Sequence, residues 1–280
     1  MYLKPKKSLG QNFLVDKNIQ RKIVSACALS KEDIILEIGA GMGDLTEQLA
    51  VAAKRVYTLE IDRRLFPALE QRLREHTNCQ LLKESILKFD IDKFLEEDLI
   101  KQKIKVVGNI PYYISSPIIE HLVEYRANID TVFMTVQKEF GRRVNAVAGS
   151  KEYGSFSCFV QYYAQSKIIF EIKKGSFSPR PKVDSCLLSL KFRQEAPVKV
   201  KDEGLFFKLI RSAFNQRRKT LRNSLADFIT LGSLESFLDR EELDRNVRPE
   251  DLTLDKFARL SNSIDSAKDL EVLKKSQKRS

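Results

Sequence analysis

A glycine-rich segment, Glu37–Gly43 with the sequence EIGAGMG, follows a short apolar run and is a candidate ligand-binding loop. Glycines let the backbone turn tightly and approach a ligand beside the N–H groups of a following helix. A dinucleotide-binding loop would need a further glycine at position 44, but that residue is Asp44. Because acidic groups at Glu37 and Asp44 would repel phosphates, the loop argues against a dinucleotide.

Glu60 ends the next apolar run, about twenty residues after this loop. A carboxylate at that place can accept hydrogen bonds from both hydroxyls of a ribose. Loop and carboxylate together favour a nucleoside that carries a cation rather than phosphates. S-adenosylmethionine is the candidate, and NAD is the disfavoured alternative. A tight turn followed by a surface acid is the purely structural alternative.

The segment Asn109-Ile110-Pro111-Tyr112 suits the methylation of an exocyclic amine. The N6 atom of adenine is a poor nucleophile because its lone pair is delocalised into the ring. The Asn109 side-chain oxygen and the Ile110 carbonyl can accept its two hydrogens, which favours a pyramidal nitrogen. Pro111 fixes φ so that the loop presents carbonyls, and Tyr112 offers a ring for stacking.

This chemistry needs no strong general base, because the methylated cation readily loses a proton. Most of the rate would come from alignment of nitrogen, carbon and sulfur. An ordinary turn is the alternative for an Asn-x-Pro-Tyr segment alone. The place of the segment after a predicted strand favours the catalytic interpretation.

Short apolar runs alternate with helix-like segments through the first two thirds of the chain, which indicates βαβ units around a largely parallel sheet. Helices are predicted at Leu45–Ala53 and at about Arg64–Glu75. The last two strands are expected to form a closing antiparallel pair. The predicted strands are Ile34–Ile38, Val56–Glu60, Gln80–Leu82, Lys105–Gly108, Asp130–Val136, Ile168–Ile172 and Cys186–Phe192. The fold class is therefore α/β and Rossmann-like, with a mostly parallel seven-stranded sheet.

The pattern changes after Phe192, where a polar segment with Pro197 resembles a linker. From Leu205 onward the apolar residues recur with a helical period, and shorter helices are predicted near 234–238 and 255–261. We therefore expect a first domain over residues 1–194, a small all-helical domain over 195–264, and a polar tail over 265–280.

The chain of 280 residues carries 49 Lys and Arg against 38 Asp and Glu, a net charge of +11. This excess favours polyanionic partners such as nucleic acid. The apolar runs are too short for a membrane span, and no signal peptide is evident. Four separated cysteines and two histidines predict no metal site. A cytoplasmic protein without a membrane partner is expected.

A basic run extends from Lys208 to Arg222 and contains six cations and no acid. A solvated helix face is the alternative, but the lack of compensating acids favours phosphate contact. Mixed basic and aromatic residues suit a single-stranded loop whose bases can be splayed out. The candidate RNA-binding residues are Arg180, Lys182, Arg217, Arg218, Lys219 and Arg222, with Lys4, Lys6, Lys7, Arg142 and Arg143 as possible extensions of the patch.

Five segments together resemble the family of small-subunit (16S) ribosomal RNA adenine N6,N6-dimethyltransferases, over roughly residues 4–260. They are Lys7–Asp16, Glu37–Gly43, Asn109–Tyr112, Phe177–Ser185 and Ala213–Leu225. The resemblance implies the class I methyltransferase fold and S-adenosylmethionine as methyl donor. It also implies that Phe177 stacks on the target adenine, with a core role as the alternative for that residue.

The same resemblance assigns the methyl-donor contacts and the catalytic loop. The catalytic residues would be Asn109, Ile110, Pro111, Tyr112 and Phe177. The donor-binding residues would be Gln11, Asn12, Leu14, Gly39, Gly41, Glu60, Ile61, Glu84, Ser85 and Asn109.

Ser85 departs from the family, which usually has Asp where this chain has serine. That Asp accepts a hydrogen bond from the donor's adenine amine. A serine hydroxyl also accepts one but without charge, so we expect donor affinity to be several-fold weaker and still present. Glu84 is adjacent, although neighbours in an extended strand point to opposite faces.

The implied activity is dimethylation of N6 in two adjacent adenosines of the 3′-terminal loop of small-subunit rRNA, with a role in small-subunit biogenesis. The partner would be 16S rRNA within the 30S subunit or its precursor, and a monomer is expected. One alternative is a large-subunit methyltransferase of the macrolide-resistance type, whose catalytic loop also reads Asn-Ile-Pro-Tyr. Another is a non-catalytic assembly factor.

Overall fold

A computed structural model describes residues 5–6, 9–216, 219–226 and 228–264 of the chain. The chain divides into two compact units. The first consists of Met1–Gly141 and Gln165–Gln194, and the second of Arg142–Ala164 and Glu195–Ser280.

Nine strands belong to the described part of the chain. They are β1 (Phe13–Leu14), β2 (Ile34–Ile38), β3 (Arg55–Leu59), β4 (Cys79–Leu82), β5 (Ile104–Asn109), β6 (Ile129–Gln137), β7 (Ala164–Ile172), β8 (Phe177–Ser178) and β9 (Ser185–Phe192). Seven of them form one sheet in the order β4-β3-β2-β5-β6-β9-β7. The neighbouring strands β4 and β3, β3 and β2, β2 and β5, and β5 and β6 pair in parallel, and β9 is antiparallel to β6. The predicted α/β fold with a mostly parallel seven-stranded sheet is confirmed.

The register of the central strands determines where the site lies. Ile38 at the end of β2 is paired with Leu59 of β3 and with Gly108 of β5. The three strands therefore end at one edge of the sheet, and the segments that follow them emerge side by side. In a doubly wound fold this carboxyl edge is where ligands bind.

Helices cover the sheet of the first unit and pack against it through apolar side chains. They are α1 (Lys17–Ala26), α2 (Asp44–Ala52), α3 (Phe66–Leu73), α4 (Ile91–Glu97), α5 (Ser115–Glu124) and α6 (Lys138–Val144), which runs into the second unit. Helix α1 begins at Asp16, whose carboxylate accepts hydrogen bonds from the backbone N–H groups of Asn18 and Ile19. Ile23 of α1 and Leu49 of α2 are buried in the same core as Ile35 of β2.

A second, two-stranded sheet fixes the N-terminal segment. Phe13 of β1 is opposite Ser178 of β8, and Leu14 is opposite Phe177. Leu14 and Phe177 are both buried in the core of the first unit. This pairing was absent from our sequence prediction, because strands of two residues show no alternation of polar and apolar side chains.

The second unit is helical around its own core. Its helices are α7 (Ser155–Tyr163), α8 (Glu203–Phe214), α9 (Leu221–Ser224), α10 (Leu231–Arg240) and α11 (Leu254–Ser263). Phe206, Phe237 and Phe257 are fully buried there. The predicted tail, 265–280, lies outside the described residues.

The predicted first domain included residues 142–164, and the structure corrects this boundary because it groups Arg142–Ala164 with the helical unit. The aromatic face of α7 packs against α8, where the ring centroids of Tyr162 and Phe207 are 5.2 Å apart. The hydroxyls of Tyr162 and Tyr163 both donate to the Glu203 carboxylate. These contacts join residues forty positions apart, which local periodicity cannot predict.

Across the described residues, no helix is long and apolar enough to cross a membrane. The same residues contain no group of three or more His, Cys, Asp or Glu side chains that could hold a metal ion.

Candidate active site

An open cleft lies in the first unit where β2, β3 and β5 end, and it encloses about 990 Å³ when the open space at its mouth is included. All the residues predicted to bind the donor line it, namely Gln11, Asn12, Leu14, Gly39, Gly41, Glu60, Ile61, Glu84, Ser85 and Asn109. Ile110 and Pro111 of the predicted catalytic loop line it as well. The structure thus brings the predicted donor-binding residues together with Asn109, Ile110 and Pro111 of the predicted catalytic set.

The loop after β2 has a backbone conformation that requires glycine. Gly39, Gly41 and Gly43 have φ angles of 81°, 58° and 84°. A β-carbon at Gly41 would lie 3.1 Å from the ring of Phe13, so a side chain would also collide with the N-terminal segment. The loop therefore leaves space for a ligand to approach the backbone.

Glu60 fixes the loop to the end of β3. It is 6% exposed, and its carboxylate accepts hydrogen bonds from the N–H groups of Gly41 (2.9 Å), Ile61 (2.8 Å) and Asp62 (2.9 Å). Burial raises the pKa of Glu60 above its ordinary value, although these three bonds act in the opposite direction. A carboxylate has about four acceptor positions, so one remains for a ligand hydroxyl.

Glu37 lies at the end of β2 and is 1% exposed. Its Oε2 accepts hydrogen bonds from the hydroxyls of Thr46 (2.6 Å) and Thr58 (2.7 Å). Burial raises the pKa of Glu37 to about 7. With Asp44, Glu60 and Glu84, it gives the cleft an acidic lining, which suits a cationic ligand and disfavours a phosphate.

Asn109 contacts the N-terminal segment directly. Its Nδ2 donates to the Asn12 carbonyl at 3.0 Å, which leaves the side-chain oxygen of Asn109 as the acceptor. The next residues continue into a short 3₁₀ turn, Tyr112–Ile114, at the start of α5.

The structure separates the two tyrosines of this loop. Tyr112 is half-buried and does not line the cleft, and its hydroxyl is 2.6 Å from Ser185 Oγ. Burial raises the pKa of Tyr112. Tyr113 lines the cleft and is 63% exposed. Tyr113 was not among the predicted site residues, and its place directly after the motif was the only signal for it in the sequence.

The N-terminal segment covers part of the cleft. A β-carbon at Gly10 would lie 3.0 Å from the Tyr113 ring, and Gly10 has a φ of 59°. Gln11 Nε2 donates to Asp62 Oδ2 at 3.0 Å. The pKa of Asp62 falls to about 2, chiefly because Arg64 hydrogen-bonds to its carboxylate. Leu9 and Phe13 also line the cleft, and they had no sequence signal beyond their place in the resembling segment.

Glu84 and Ser85 both line the cleft, although they are adjacent in the chain. Ser85 precedes a short 3₁₀ turn, Ile86–Lys88, and has extended backbone angles. In an extended strand, neighbouring side chains would point to opposite faces. Here both residues are nevertheless at the site.

Phe177 does not line this cleft. It is 4% exposed and packs in the core with Leu14. This burial favours the core role that was the alternative for Phe177, and stacking on the target adenine stays a prediction. Leu14 and Phe177 are opposite each other in the β1–β8 pairing and share the same core.

The predicted RNA-binding residues are distributed over both units. Arg180 and Lys182 are exposed in the first unit, in the loop after β8. Lys219 and Arg222 are exposed in the second. Arg217 and Arg218 lie outside the described residues. Arg222 is 3.7 Å from Glu235 of α10, so the basic run has an acidic neighbour that its own sequence did not reveal.

A Rossmann-like sheet that brings a glycine loop, an acidic residue after the next strand and an Asn-Ile-Pro-Tyr loop into one cleft defines the class I methyltransferases. A sequence model of the family described as ribosomal RNA adenine dimethylase matches residues 2–266. The chain therefore belongs to the ribosomal RNA adenine dimethylase family and is an rRNA adenine methyltransferase.

Two curated relatives share the name ribosomal RNA small subunit methyltransferase A. The protein of Clostridium botulinum (strain Kyoto / Type A2) is 42% identical over 92% of this chain and 93% of its own length. The protein of Lachnoclostridium phytofermentans is 44% identical over 92% of this chain and 91% of its own length.

Two solved structures share the fold. A dimethyladenosine transferase from Plasmodium falciparum has a TM-score of 0.72 at 24% identity, over 89% of this chain and 95% of that one. The 23S rRNA methyltransferase ErmE has a TM-score of 0.71 at 24% identity, over 91% of this chain and all of that one. Because a dimethyladenosine transferase and a 23S rRNA methyltransferase match this chain about equally well, the fold does not identify the RNA substrate.

Proposed function

We propose that this protein transfers methyl groups from S-adenosylmethionine to N6 of two adjacent adenosines in the 3′-terminal loop of small-subunit rRNA. The observation that carries the proposal is the shared cleft, which Asn109 and Ile110 line together with the glycine loop and Glu60. The curated relatives that bear the name small subunit methyltransferase A favour the small subunit over the large one.

The cleft fits the proposed donor. Because Gly39 and Gly41 have no side chains, a ligand can approach the backbone of the loop. A β-carbon at Gly39 would lie 3.6 Å from the Asn109 carbonyl oxygen. Glu60 has an acceptor position for a ribose hydroxyl, and Asp44 and Glu84 provide negative charge for a cation. When bound, S-adenosylmethionine supplies an electrophilic methyl group on its sulfonium.

Asn109 is suited to hold the target amine. Because Asn12 fixes the Nδ2 end of its amide, the Oδ1 end is available to accept a hydrogen from N6. The Ile110 carbonyl is the second acceptor in the same loop. Two acceptors orient the nitrogen lone pair toward the donor side of the cleft, and alignment supplies most of the rate.

Tyr112 and Tyr113 are the aromatic groups of this loop. The Ser185 contact holds the Tyr112 ring at its hydroxyl end. Tyr113 presents an exposed ring beside the cleft, on which an adjacent base can stack. Extruding an adenosine from a loop costs less than extruding one from a duplex, which suits a single-stranded target.

Each unit offers cations for the rRNA backbone. Arg180 and Lys182 in the first unit and Lys219 and Arg222 in the second are exposed, as phosphate contacts require. We further propose that the substrate is the 30S subunit or its precursor and that the protein acts as a monomer.

The test is methyl transfer from labelled S-adenosylmethionine to small subunits purified from cells that lack the modification. We expect N6,N6-dimethyladenosine at two adjacent positions after the RNA is digested and its nucleosides are separated. An Asn109→Ala variant is the control for residual methylation by a contaminant. Transfer only to large-subunit RNA would contradict the proposal and support a resistance-type activity. Tight subunit binding without transfer would support an assembly factor.

A further inference from the structure

Arg72 of α3 makes four polar contacts with the glycine loop and the start of α2. Its Nη1 donates to the Met42 carbonyl at 2.7 Å, and its Nη2 lies 2.9 Å from Asp44 Oδ1. Its Nη2 and Nε also contact the two carboxylate oxygens of Glu47, at 2.7 and 2.5 Å. One guanidinium therefore contacts Met42, Asp44 and Glu47 together, beside the cleft.

The same helix packs against the loop through apolar atoms. A β-carbon at Gly43 would lie 3.1 Å from Leu69 Cδ2 and 3.2 Å from Arg72 Cδ. Leu69 is fully buried in a small core with Ala40, and Met42 packs against that core. Helix α3 thus supports the outer side of the loop, while the Phe13 ring lies against Gly41 on another side.

A simple surface ion pair does not account for this arrangement. The Arg72 side chain is 31% exposed and its partners are exposed to a similar degree, and ion pairs of this kind contribute little to stability. The contact with the Met42 carbonyl is different, because it fixes the backbone of the loop itself. The planar fork of Arg spreads five N–H donors over three nitrogens and makes four contacts here, whereas an ammonium has three donors on a single atom.

We propose that Arg72 is a positioning residue that presets the donor loop before the donor binds. Arg72 does not line the cleft, but Met42 and Asp44 do, so it acts through them. Its bond to Met42 holds the loop in the conformation with three positive φ angles. This inference rests on the proposed donor site, and it adds a residue that neither composition nor the motif pattern indicated.

The test compares Arg72→Gln and Arg72→Lys with the wild-type chain. We expect Arg72→Gln to raise both the donor Kd and the donor KM by about tenfold, because a charge-assisted bond to the loop is lost. The kcat at saturating donor should stay within about twofold. Arg72→Lys should recover the melting temperature but not the donor affinity, since it keeps the charge without the fork. Isothermal titration with S-adenosylmethionine gives the Kd, steady-state kinetics on small subunits give the KM and kcat, and thermal unfolding gives the melting temperature.

Two further variants serve as controls. Glu70→Gln removes an ion pair with Lys83 from the same helix, away from the loop, and should leave donor affinity unchanged. Glu47→Gln removes a partner of Arg72 but keeps the Met42 contact, so its donor Kd should stay within about twofold of wild type.

The outcomes separate this inference from the proposed function. A wild-type chain that binds no S-adenosylmethionine would overturn the donor site itself. A wild-type chain that binds it, beside a folded Arg72→Gln variant of equal affinity, would overturn the positioning role alone. Full recovery of affinity in Arg72→Lys would also overturn that role, because charge would then suffice. If Arg72→Gln does not fold, Arg72→Lys and Glu47→Gln still test the positioning role. A higher donor Kd in Arg72→Lys than in Glu47→Gln would support that role, and equal values would overturn it.

Discussion

Ser85 contributes a neutral hydroxyl to a part of the cleft where the family usually has a carboxylate. Both Ser85 and Glu84 line this wall, so a charged acceptor lies beside the neutral one. A hydrogen bond to an ionised acceptor is roughly twice as strong as one to a neutral acceptor. The hydrogen bond whose strength would differ is the one that the donor's adenine amine donates.

Substitution of Ser85 should therefore change donor affinity in both directions. We expect Ser85→Asp to lower the donor Kd several-fold and Ser85→Ala to raise it by a similar factor, each corresponding to about 1 kcal/mol. Isothermal titration with S-adenosylmethionine measures both. Glu84→Gln is the matched control for charge near this wall. An unchanged Kd in Ser85→Ala would remove the hydroxyl from the site.

Ser185 holds the phenol of Tyr112 from behind the catalytic loop. The two hydroxyl oxygens are 2.6 Å apart, and Ser185 is completely buried in β9. Tyr112→Phe and Ser185→Ala should each lower kcat by about fivefold, with donor KM unchanged, because ring placement is weakened. The double variant should be no worse than the poorer single one, as expected for two groups that act as a unit. Additive losses in the double-mutant cycle would show that the two residues act independently.

Among the elements, β2, β3 and α2 are joined by one buried carboxyl group. Glu37 of β2 accepts hydrogen bonds from Thr46 of α2 and Thr58 of β3. Two neutral hydroxyls do not compensate fully for burial, so the pKa of Glu37 rises from 4.5 to about 7. The first unit therefore contains a titrating group at the base of its cleft.

The sign of the resulting pH dependence follows from proton binding. Between about pH 4.5 and 7 the folded chain holds a proton on Glu37 that the unfolded chain has released. The stability that this proton contributes is present at low pH and is lost as the pH rises through 7. Relative to Glu37→Gln, wild type should lose on the order of 2 kcal/mol between pH 5 and 8. Urea unfolding of both proteins at several pH values measures the difference, and parallel curves would contradict the raised pKa.

The strands could be predicted from sequence where they are buried on both faces. Six of the seven sheet strands begin and end within about one residue of their predicted bounds, because apolar runs mark strands of a covered parallel sheet. The exception is β7, which begins at Ala164 rather than at the predicted Ile168. It lies at the edge of the sheet, where exposed polar residues such as Gln165 are compatible with a strand.

The site could be predicted where chemistry is local to a motif and not where packing decides. The loops at 39–43 and 109–111 meet as their spacing and the resemblance implied. Burial of Phe177 and the support that Arg72 gives to the glycine loop depend on residues distant in sequence. No periodicity or spacing within a segment carries such information, so these features could be recognised only in the three-dimensional structure.

Charge is the property of the whole molecule that bears on its substrate. A net charge of +11 favours a polyanion, but the described cations are not equivalent. Arg259 forms ion pairs with both Asp255 and Glu241, whereas the contact of Arg222 with Glu235 is longer, at 3.7 Å. Cations without a close acid gain most from a phosphate, because no existing pair is broken when they bind it.

The salt dependence of RNA binding should therefore distinguish cations that have close acidic partners from cations that do not. Lys219→Gln and Arg222→Gln should each weaken binding to small-subunit rRNA and reduce the slope of log K against log salt by about 0.7 to 0.9. Arg259→Gln removes the same charge from the same unit but should leave the slope nearly unchanged, because its partners already neutralise it. Filter binding between about 50 and 200 mM salt measures the slopes. Equal slopes for Arg222→Gln and Arg259→Gln would mean that binding responds to net charge alone, and the basic run would then lose its special role.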